Sequence, residues 1–243
     1  MSILLSGASR SLVEKTEKEL AIEIKTEMSP ELAVGSQARI HEMKQTGILV
    51  ILLKPDRKDH QYLIAQACLS ALATKEHPFT LKSRGDGIKT FETTLSERGL
   101  SNASAIAGQI ATGTGNQLRG APLLALSAQT IYNEYPELHE DQLKFFKLDC
   151  AEGQLALTET PKEFEGILAT AHHAMNGAMA LVADYLFNNT SFYKPYAGTP
   201  FDGLATNLVE DLYGINALKS ERDIVDSWIT KLSLDDFYEV END

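Results

Sequence analysis

The sequence predicts a mainly α-helical protein, a helical bundle-like fold with room for one small β-hairpin or strand pair in its first 90 residues. Three observations support this class. Apolar residues recur at helical spacing along most of the chain. Residues that start and stop helices flank these stretches. One β-branched apolar run, residues 47–53, is typical of a buried strand.

The first part of the chain is predicted to contain two helices followed by that strand. Residues 9–28 mix apolar and charged side chains, and opposite charges four residues apart favour a helix. Ser29 followed by Pro30 is a typical helix start and predicts a second helix to Lys44. The run 47–53 is predicted as a strand, with a buried helical turn as the alternative.

Two further helices, with a short strand between them, are predicted before residue 100. Residues 56–74 place aromatic and apolar side chains at helical spacing. Residues 86–98 form the next helix, which Gly99 ends because glycine readily adopts the left-handed conformation. The loop-like stretch between these helices includes a short strand over 79–82.

The middle of the chain is predicted as three helices separated by turns. Small residues over 101–111 form the first helix, and the glycines and threonines of 112–116 predict a turn. Pro122 opens an apolar helix that Pro136 stops. Residues 140–148 are predicted as another helix.

A long helix is predicted to follow a capping box. Thr160 and Glu163 have the spacing at which a hydroxyl and a carboxylate satisfy the free amides of a first turn, and this helix runs to Phe187. A Tyr-, Pro- and Gly-rich segment, 188–203, is long enough to predict a functional loop or packed arm. Two short helices precede an acidic tail, at 203–213 and 219–232.

Acidic charge is concentrated after residue 100. Residues 1–100 carry 14 Lys and Arg against 13 Asp and Glu, whereas residues 101–243 carry 8 against 21. This shift predicts a charge-balanced helical half, 1–110, and an acidic helical half, 111–243, with one continuous domain as the alternative. An acidic protein repels nucleic acid, so any such contact is confined to the balanced half.

Basic residues between 54 and 98 are interleaved with aromatic side chains. If they converge on one groove, they would hold a phosphate backbone without reading base sequence. The alternative is an ordinary solvated surface. The candidate nucleic-acid-binding residues are Lys54, Arg57, Lys58, Lys75, Lys82, Arg84 and Lys89.

Aromatic residues also concentrate in the predicted loop 188–203. Exposed aromatic side chains are frequent anchors of protein interfaces. The alternative is that they pack against the preceding helix and fasten the loop. The candidate interface residues are Phe192, Tyr193, Tyr196 and Phe201.

Nucleophilic and phosphate-binding patterns are missing from the sequence. The glycine-rich stretch 113–120 is not followed by the Lys-Ser/Thr pair of a phosphate-binding loop, and we interpret it as a turn between helices. Cys68 has an apolar helical setting that raises the pKa of its thiol, and Cys150 is flanked by acidic residues. We therefore predict no catalytic residues.

A histidine pair is the one alternative that would support catalysis. His172 and His173 could act with Glu165 or Asp184 in a helical bundle, with or without a metal ion. The common metal-binding spacings Glu-x-x-His and His-x-x-x-His do not occur there. A structural, hydrogen-bonded histidine is favoured, so no metal ligand and no cofactor are predicted.

These observations favour a non-catalytic, self-associating structural protein, such as a nucleocapsid or coat-like subunit that contacts nucleic acid through residues 54–98. The alternatives are a helical-bundle enzyme with a His/carboxylate site and an adaptor that binds a protein through 188–203. The N-terminal apolar run is too short for a signal peptide, and no stretch is long enough to cross a membrane. The expected location is cytoplasmic, with copies of the chain itself as the main partner.

Overall fold

The structure is a computed structural model that describes residues 3–32, 38–43, 47–76, 78–215, 217–218 and 220–242. Its mainly α-helical class confirms the prediction: the described residues form eight α-helices and two small sheets. The elements are α1 (Gly7–Leu20), β1 (Glu23–Met28), β2 (Ala38–Met43), β3 (Ile48–Leu53), α2 (His60–Glu76), β4 (Phe79–Ser83), α3 (Gly85–Glu97), α4 (Ala103–Glu134), α5 (His139–Glu159), α6 (Ile167–Leu186), α7 (Asp202–Tyr213), α8 (Glu221–Lys231) and β5 (Tyr238–Asn242).

The chain divides into two compact units. Unit 1 consists of Met1–Glu76 with Leu126–Asp149, and unit 2 of His77–Ala125 with Cys150–Asp243. Helices α4 and α5 each contribute to both units. Residue 110 lies inside α4, and the division at that point into two halves stays a prediction.

Unit 1 contains a three-stranded sheet with the order β1-β3-β2, in which β3 is parallel to β1 and antiparallel to β2. The predicted strand 47–53 is confirmed as β3, whose Ile51 and Leu53 are fully buried. Its apolar run suits a central strand because one face is buried and a neighbouring strand pairs along each edge. Helices α1 and α2 pack together in the same unit, with Leu12 and Ile64 in the core.

The structure shows strands in parts of both segments that were predicted as helices before β3. Helix α1 ends at Leu20, where Ala21 adopts a left-handed φ of 54°, and the rest of the predicted helix 9–28 forms β1. Alternate residues of β1 are exposed, which is the period of two that a strand requires. The charge pairs in the same stretch of sequence favoured a helix and hid this pattern. Of the helix predicted from Pro30 to Lys44, residues 38–43 form β2, and 33–37 and 44 lie outside the described residues. Ladder hydrogen bonds to β3 outweigh helix propensity here.

The turn predicted at 112–116 is wrong, because these residues lie within helix α4. It runs without a break through the glycines and through Pro122, because one face packs into a core that includes Leu118. A Cβ at Gly113 would meet no atom within 4 Å, whereas at Gly115 it would lie 3.0 Å from the ring of Tyr238. The buried Tyr238 hydroxyl donates to the Ala111 carbonyl. Long-range packing on a residue near the other end of the sequence therefore stabilises this helix.

The capping box predicted at Thr160 is also wrong. The Thr160 hydroxyl donates to the Ala156 carbonyl at 2.7 Å and so belongs to the end of α5, which extends well beyond residue 148. A short 3-10 turn follows, and α6 begins at Ile167 after Gly166, whose φ of 152° favours glycine.

The remaining elements of unit 2 follow the predictions except at the acidic tail. Helices α3, α7 and α8 lie close to their predicted ranges, and the predicted strand at 79–82 is confirmed as β4. The tail contains β5, which pairs with β4 in antiparallel register. Trp228 of α8 is fully buried and donates its indole N–H to the Leu208 carbonyl at 3.2 Å. Among the described residues, no helix has the length and apolarity needed to span a bilayer.

Candidate functional site

The predicted nucleic-acid-binding cations are shared between the two units. Four of them belong to unit 1, and three belong to unit 2 on β4, α3 and the residue between them. The first group is Lys54, Arg57, Lys58 and Lys75, and the second is Lys82, Arg84 and Lys89. The prediction of one basic groove therefore stays a prediction.

Most of these cations already have partners within their own unit. Arg57 Nε donates to the fully buried Asp59 Oδ1 at 2.8 Å, and its guanidinium also lies over the ring of Phe145. The Lys75 ammonium donates to the Glu19 carbonyl oxygen. Such cations are less available to phosphate because binding would first break an existing interaction.

The C-terminal strand neutralises the cations next to β4. Lys82 Nζ lies 2.8 Å from Glu241 Oε1, and Arg84 Nη2 lies 2.6 Å from Glu239 Oε2. These carboxylates raise the pKa of both Lys82 and Arg84. The sequence contained the signal, since an acidic tail can pair with a basic strand, but nothing local predicted that the tail forms a strand.

The predicted interface segment 188–203 is folded against its own unit. Asp184 of α6 accepts hydrogen bonds from the Thr190 hydroxyl at 2.7 Å and from the backbone N–H groups of Phe192 and Tyr193 at 2.9 and 3.0 Å. The Tyr193 hydroxyl donates to the Asp202 carbonyl oxygen at 3.0 Å. The carboxylate of Asp184, considered earlier as a histidine partner, fastens the loop instead.

The aromatic side chains of this segment differ in exposure. Tyr196 is fully buried, and its ring lies against the backbone of Gly177, where a Cβ would come within 3.2 Å of it. Phe192, Tyr193 and Phe201 are half-buried. Tyr196 therefore anchors the loop, and an interface role for the other three stays a prediction.

The histidine pair is held by amides and a hydroxyl. His172 Nδ1 lies 2.7 Å from Gln117 Oε1, His172 Nε2 lies 3.1 Å from Asn176 Nδ2, and Gln117 Nε2 donates to Asn176 Oδ1 at 2.6 Å. Burial, with a smaller effect of His173, lowers the pKa of His172 to about 4. His173 Nε2 lies 3.2 Å from the Thr160 hydroxyl. A neutral imidazole in a closed amide ring fits a structural role.

The described residues contain no cluster of metal-ligating side chains. Burial raises the pKa of the Cys68 thiol to about 12, as predicted from its apolar setting. Arg119, within the glycine-rich stretch 113–120, lies on α4 with its guanidinium 5.5 Å from the centre of the Phe79 ring. These placements do not assemble a nucleophile, a base and a charged stabiliser.

An exposed apolar patch lies where α6 and α7 end in unit 2, a feature that the sequence analysis missed. Tyr185 is 66% exposed, and its ring meets Tyr213 edge-on with centroids 6.3 Å apart. Ile215, two residues beyond Tyr213, is fully exposed. These three residues are called the tyrosine patch below.

No family model, curated protein or solved structure matches the chain.

Proposed function

We propose that the protein is a non-catalytic assembly subunit that associates with copies of itself through the tyrosine patch. The observation that supports this is the exposure of Tyr185, whose ring meets the half-buried ring of Tyr213, and of Ile215 two residues further along the chain. Large apolar and aromatic side chains grouped on a surface are typical of contact sites, and tyrosine is a common interface anchor. A two-fold interface uses the same patch on both copies, so a small patch contributes twice.

Charge predicts how this association depends on salt. Unit 2 carries 10 Lys and Arg against 19 Asp and Glu, a net charge of −9. Two copies of unit 2 therefore repel each other, and salt weakens that repulsion because the screening length falls to about 8 Å at physiological ionic strength. We expect self-association to become tighter as sodium chloride is raised.

Assembly bridged by nucleic acid would respond to salt in the opposite way. Phosphate contacts release counterions, so added salt weakens them. Lys54, Lys58 and Lys89 have no carboxylate partner among the residues that the structure describes, and they are the cations on which this contact would depend. The salt response thus separates direct self-association from nucleic-acid bridging.

The test is light scattering on the full chain over a range of protein and salt concentrations, with the 260/280 nm absorbance ratio recorded for each species. Tyr185→Ser should weaken association about tenfold, since it removes a large anchor worth more than about 1 kcal/mol. Leu4→Ser is the matched control, because Leu4 is 85% exposed but lies in unit 1, and it should change nothing.

Two results would contradict the proposal. A monomer at every salt and protein concentration would exclude self-association. Particles that carry nucleic acid, dissociate with added salt and tolerate Tyr185→Ser would support bridging by nucleic acid instead.

A further inference from the structure

A cleft in unit 2 is lined by residues that belong neither to the tyrosine patch nor to the histidine pair. It has a volume of about 420 Å³ and is bounded by α3, by the junction before α6 and by the turn before β5. Sites for small organic ligands commonly enclose about 300–1,000 Å³. The cleft is therefore large enough for a small organic molecule.

Helix α3 forms one wall and sets the position of the turn. Gly87, Thr90, Thr94 and Arg98 line the cleft at spacings of three and four residues, which place them on one helix face. The Gly87 N–H donates to the Asp236 carbonyl at 3.0 Å, and a Cβ on Gly87 would lie 2.5 Å from that oxygen. Only glycine allows the turn to approach this closely.

Arg98 holds the junction that forms the opposite wall. Its Nη1 donates to the carbonyl oxygens of Glu163 and Glu165 at 2.9 and 2.6 Å. These bonds fix the backbone on either side of residue 164, just before Gly166 and Ile167 complete the wall. The guanidinium thus has a structural role in shaping the cleft.

The inside of the cleft has an apolar floor. Phe91 of α3 and Phe237 of the turn are each 6% exposed, and Ile167 is 36% exposed. Aromatic faces carry partial negative charge and attract cations as well as apolar groups. The floor therefore suits the apolar stem of an amphiphilic ligand.

The polar groups of the rim mainly accept hydrogen bonds. The Thr90 hydroxyl donates to the Asp86 carbonyl at 3.0 Å and the Thr94 hydroxyl to the Thr90 carbonyl at 3.1 Å, which leaves both oxygens with free lone pairs and no proton to give. The carboxylates among the lining residues are Asp86, Glu165 and Asp236, and all three side chains belong to exposed residues.

The lining residues carry a net negative charge, which favours a positively charged ligand. Three of the lining residues are acidic and one, Arg98, is basic, and the Nη1 of Arg98 is already occupied. Arg84 lies near enough to Asp236 to interact electrostatically, but its guanidinium is paired with Glu239. A ligand that fits this rim must donate hydrogen bonds and carry positive charge.

We propose that this cleft binds a small organic cation, a protonated primary amine on an apolar arylalkyl stem. The ammonium lies among the carboxylates and threonine oxygens of the rim, and the stem lies on Phe91, Phe237 and Ile167. This site is independent of self-association and adds a ligand to a protein for which the sequence predicted no cofactor.

Calorimetric titration of the full chain with three probes of matched shape tests the proposal. The probes are phenylbutylamine, the neutral phenylbutanol and the anionic phenylpentanoate. We expect the amine to bind about tenfold more tightly than the alcohol, a ratio typical of one charge-assisted contact, and the carboxylate not to bind. Amine binding should weaken as salt is raised because the rim carboxylates are exposed.

A pair of variants assigns the binding to the cleft. Glu165→Gln removes a rim carboxylate while leaving the carbonyl that Arg98 binds, and it should weaken amine binding about two- to fivefold. Glu163→Gln is the matched control, since Glu163 is exposed two residues away and is not among the lining residues. Asp236→Asn, with Asp235→Asn as its control, repeats the test in the turn before β5.

Several results would overturn the proposal: no saturable binding of the amine at millimolar concentration, equal affinity for amine and alcohol, a preference for the carboxylate, or equal losses in Glu165→Gln and Glu163→Gln. Circular dichroism of each variant shows whether the fold is retained.

Discussion

Glu221→Gln should make the protein more stable at neutral and alkaline pH and leave its stability unchanged in acid. Glu221 lies in the first turn of α8, and only 6% of it is exposed. Its Oε2 atom accepts no hydrogen bond from the described residues. Burial raises the pKa of this carboxyl from 4.5 to about 7, while the positive charge of Arg119 acts in the opposite direction.

The size and sign of the effect follow from this pKa. Below pH 4.5 the carboxyl is protonated in both the folded and the unfolded chain, so it does not oppose folding. As the pH rises from 4.5 to about 7, the unfolded chain ionises first and the free energy of unfolding falls. A shift of one pKa unit corresponds to about 1.4 kcal/mol, so the loss above pH 7 amounts to about 3 kcal/mol.

Urea denaturation followed by tryptophan fluorescence measures this difference. Trp228 is the only tryptophan, is fully buried and lies in α8 itself, so its emission reports on the helix that carries Glu221. We expect Glu221→Gln to match the parent protein at about pH 4 and to exceed it by about 2–3 kcal/mol at about pH 8.

Asp226→Asn is the control, because it removes an equal charge from an exposed position of the same helix. An equal change in stability at both pH values for Glu221→Gln, or a pH-dependent gain in Asp226→Asn, would contradict a raised pKa of Glu221 as the cause.

Three further predictions concern packing and hydrogen bonding in unit 2. Asp184→Ala should destabilise the protein by about 2–3 kcal/mol, because it removes the carboxylate that accepts three hydrogen bonds from the loop. Limited proteolysis should then cut within 188–203. Gly87→Ala should lower the melting temperature by several degrees, since its Cβ would overlap a backbone oxygen, whereas Gly85→Ala meets open space and should not. Tyr238→Phe should cost about 1–2 kcal/mol by leaving the Ala111 carbonyl without its hydroxyl donor, as chemical denaturation would show.

Local pattern predicted the elements whose type can be read from the spacing of their own residues. Helices α2, α3, α7 and α8 and strand β3 have apolar spacing or β-branched runs that agree with their structure. Strand β1 was predicted as helix because Lys15 and Glu19 form an i, i+4 pair upstream, and nothing local marks Ala21 as the residue at which the helix ends. Its pairing with β3 is a contact between distant residues.

The candidate sites show the same limit. The cations between 54 and 98 are visible in the sequence, but the carboxylates that pair with Lys82 and Arg84 lie more than 150 residues away, at Glu241 and Glu239. Asp184 was considered beside the histidines because helical spacing places them on one element, whereas in the structure it binds the loop that follows. Side-chain identity is readable from sequence, but the neighbour that satisfies each side chain depends on tertiary packing.

The antiparallel pair of β4 and β5 constrains how the chain folds during synthesis. Ser83 lies opposite Tyr238, so unit 2 cannot complete its sheet until residue 238 has left the ribosome. Unit 1 is built from two separate segments of the chain, so it cannot be completed until residues 126–149 have been synthesised. Contacts between such distant residues slow folding and leave apolar surface exposed during translation. Nascent chains that stop before residue 238 should therefore expose Gly115 and the neighbouring face of α4, and depend on chaperones to remain free of aggregation.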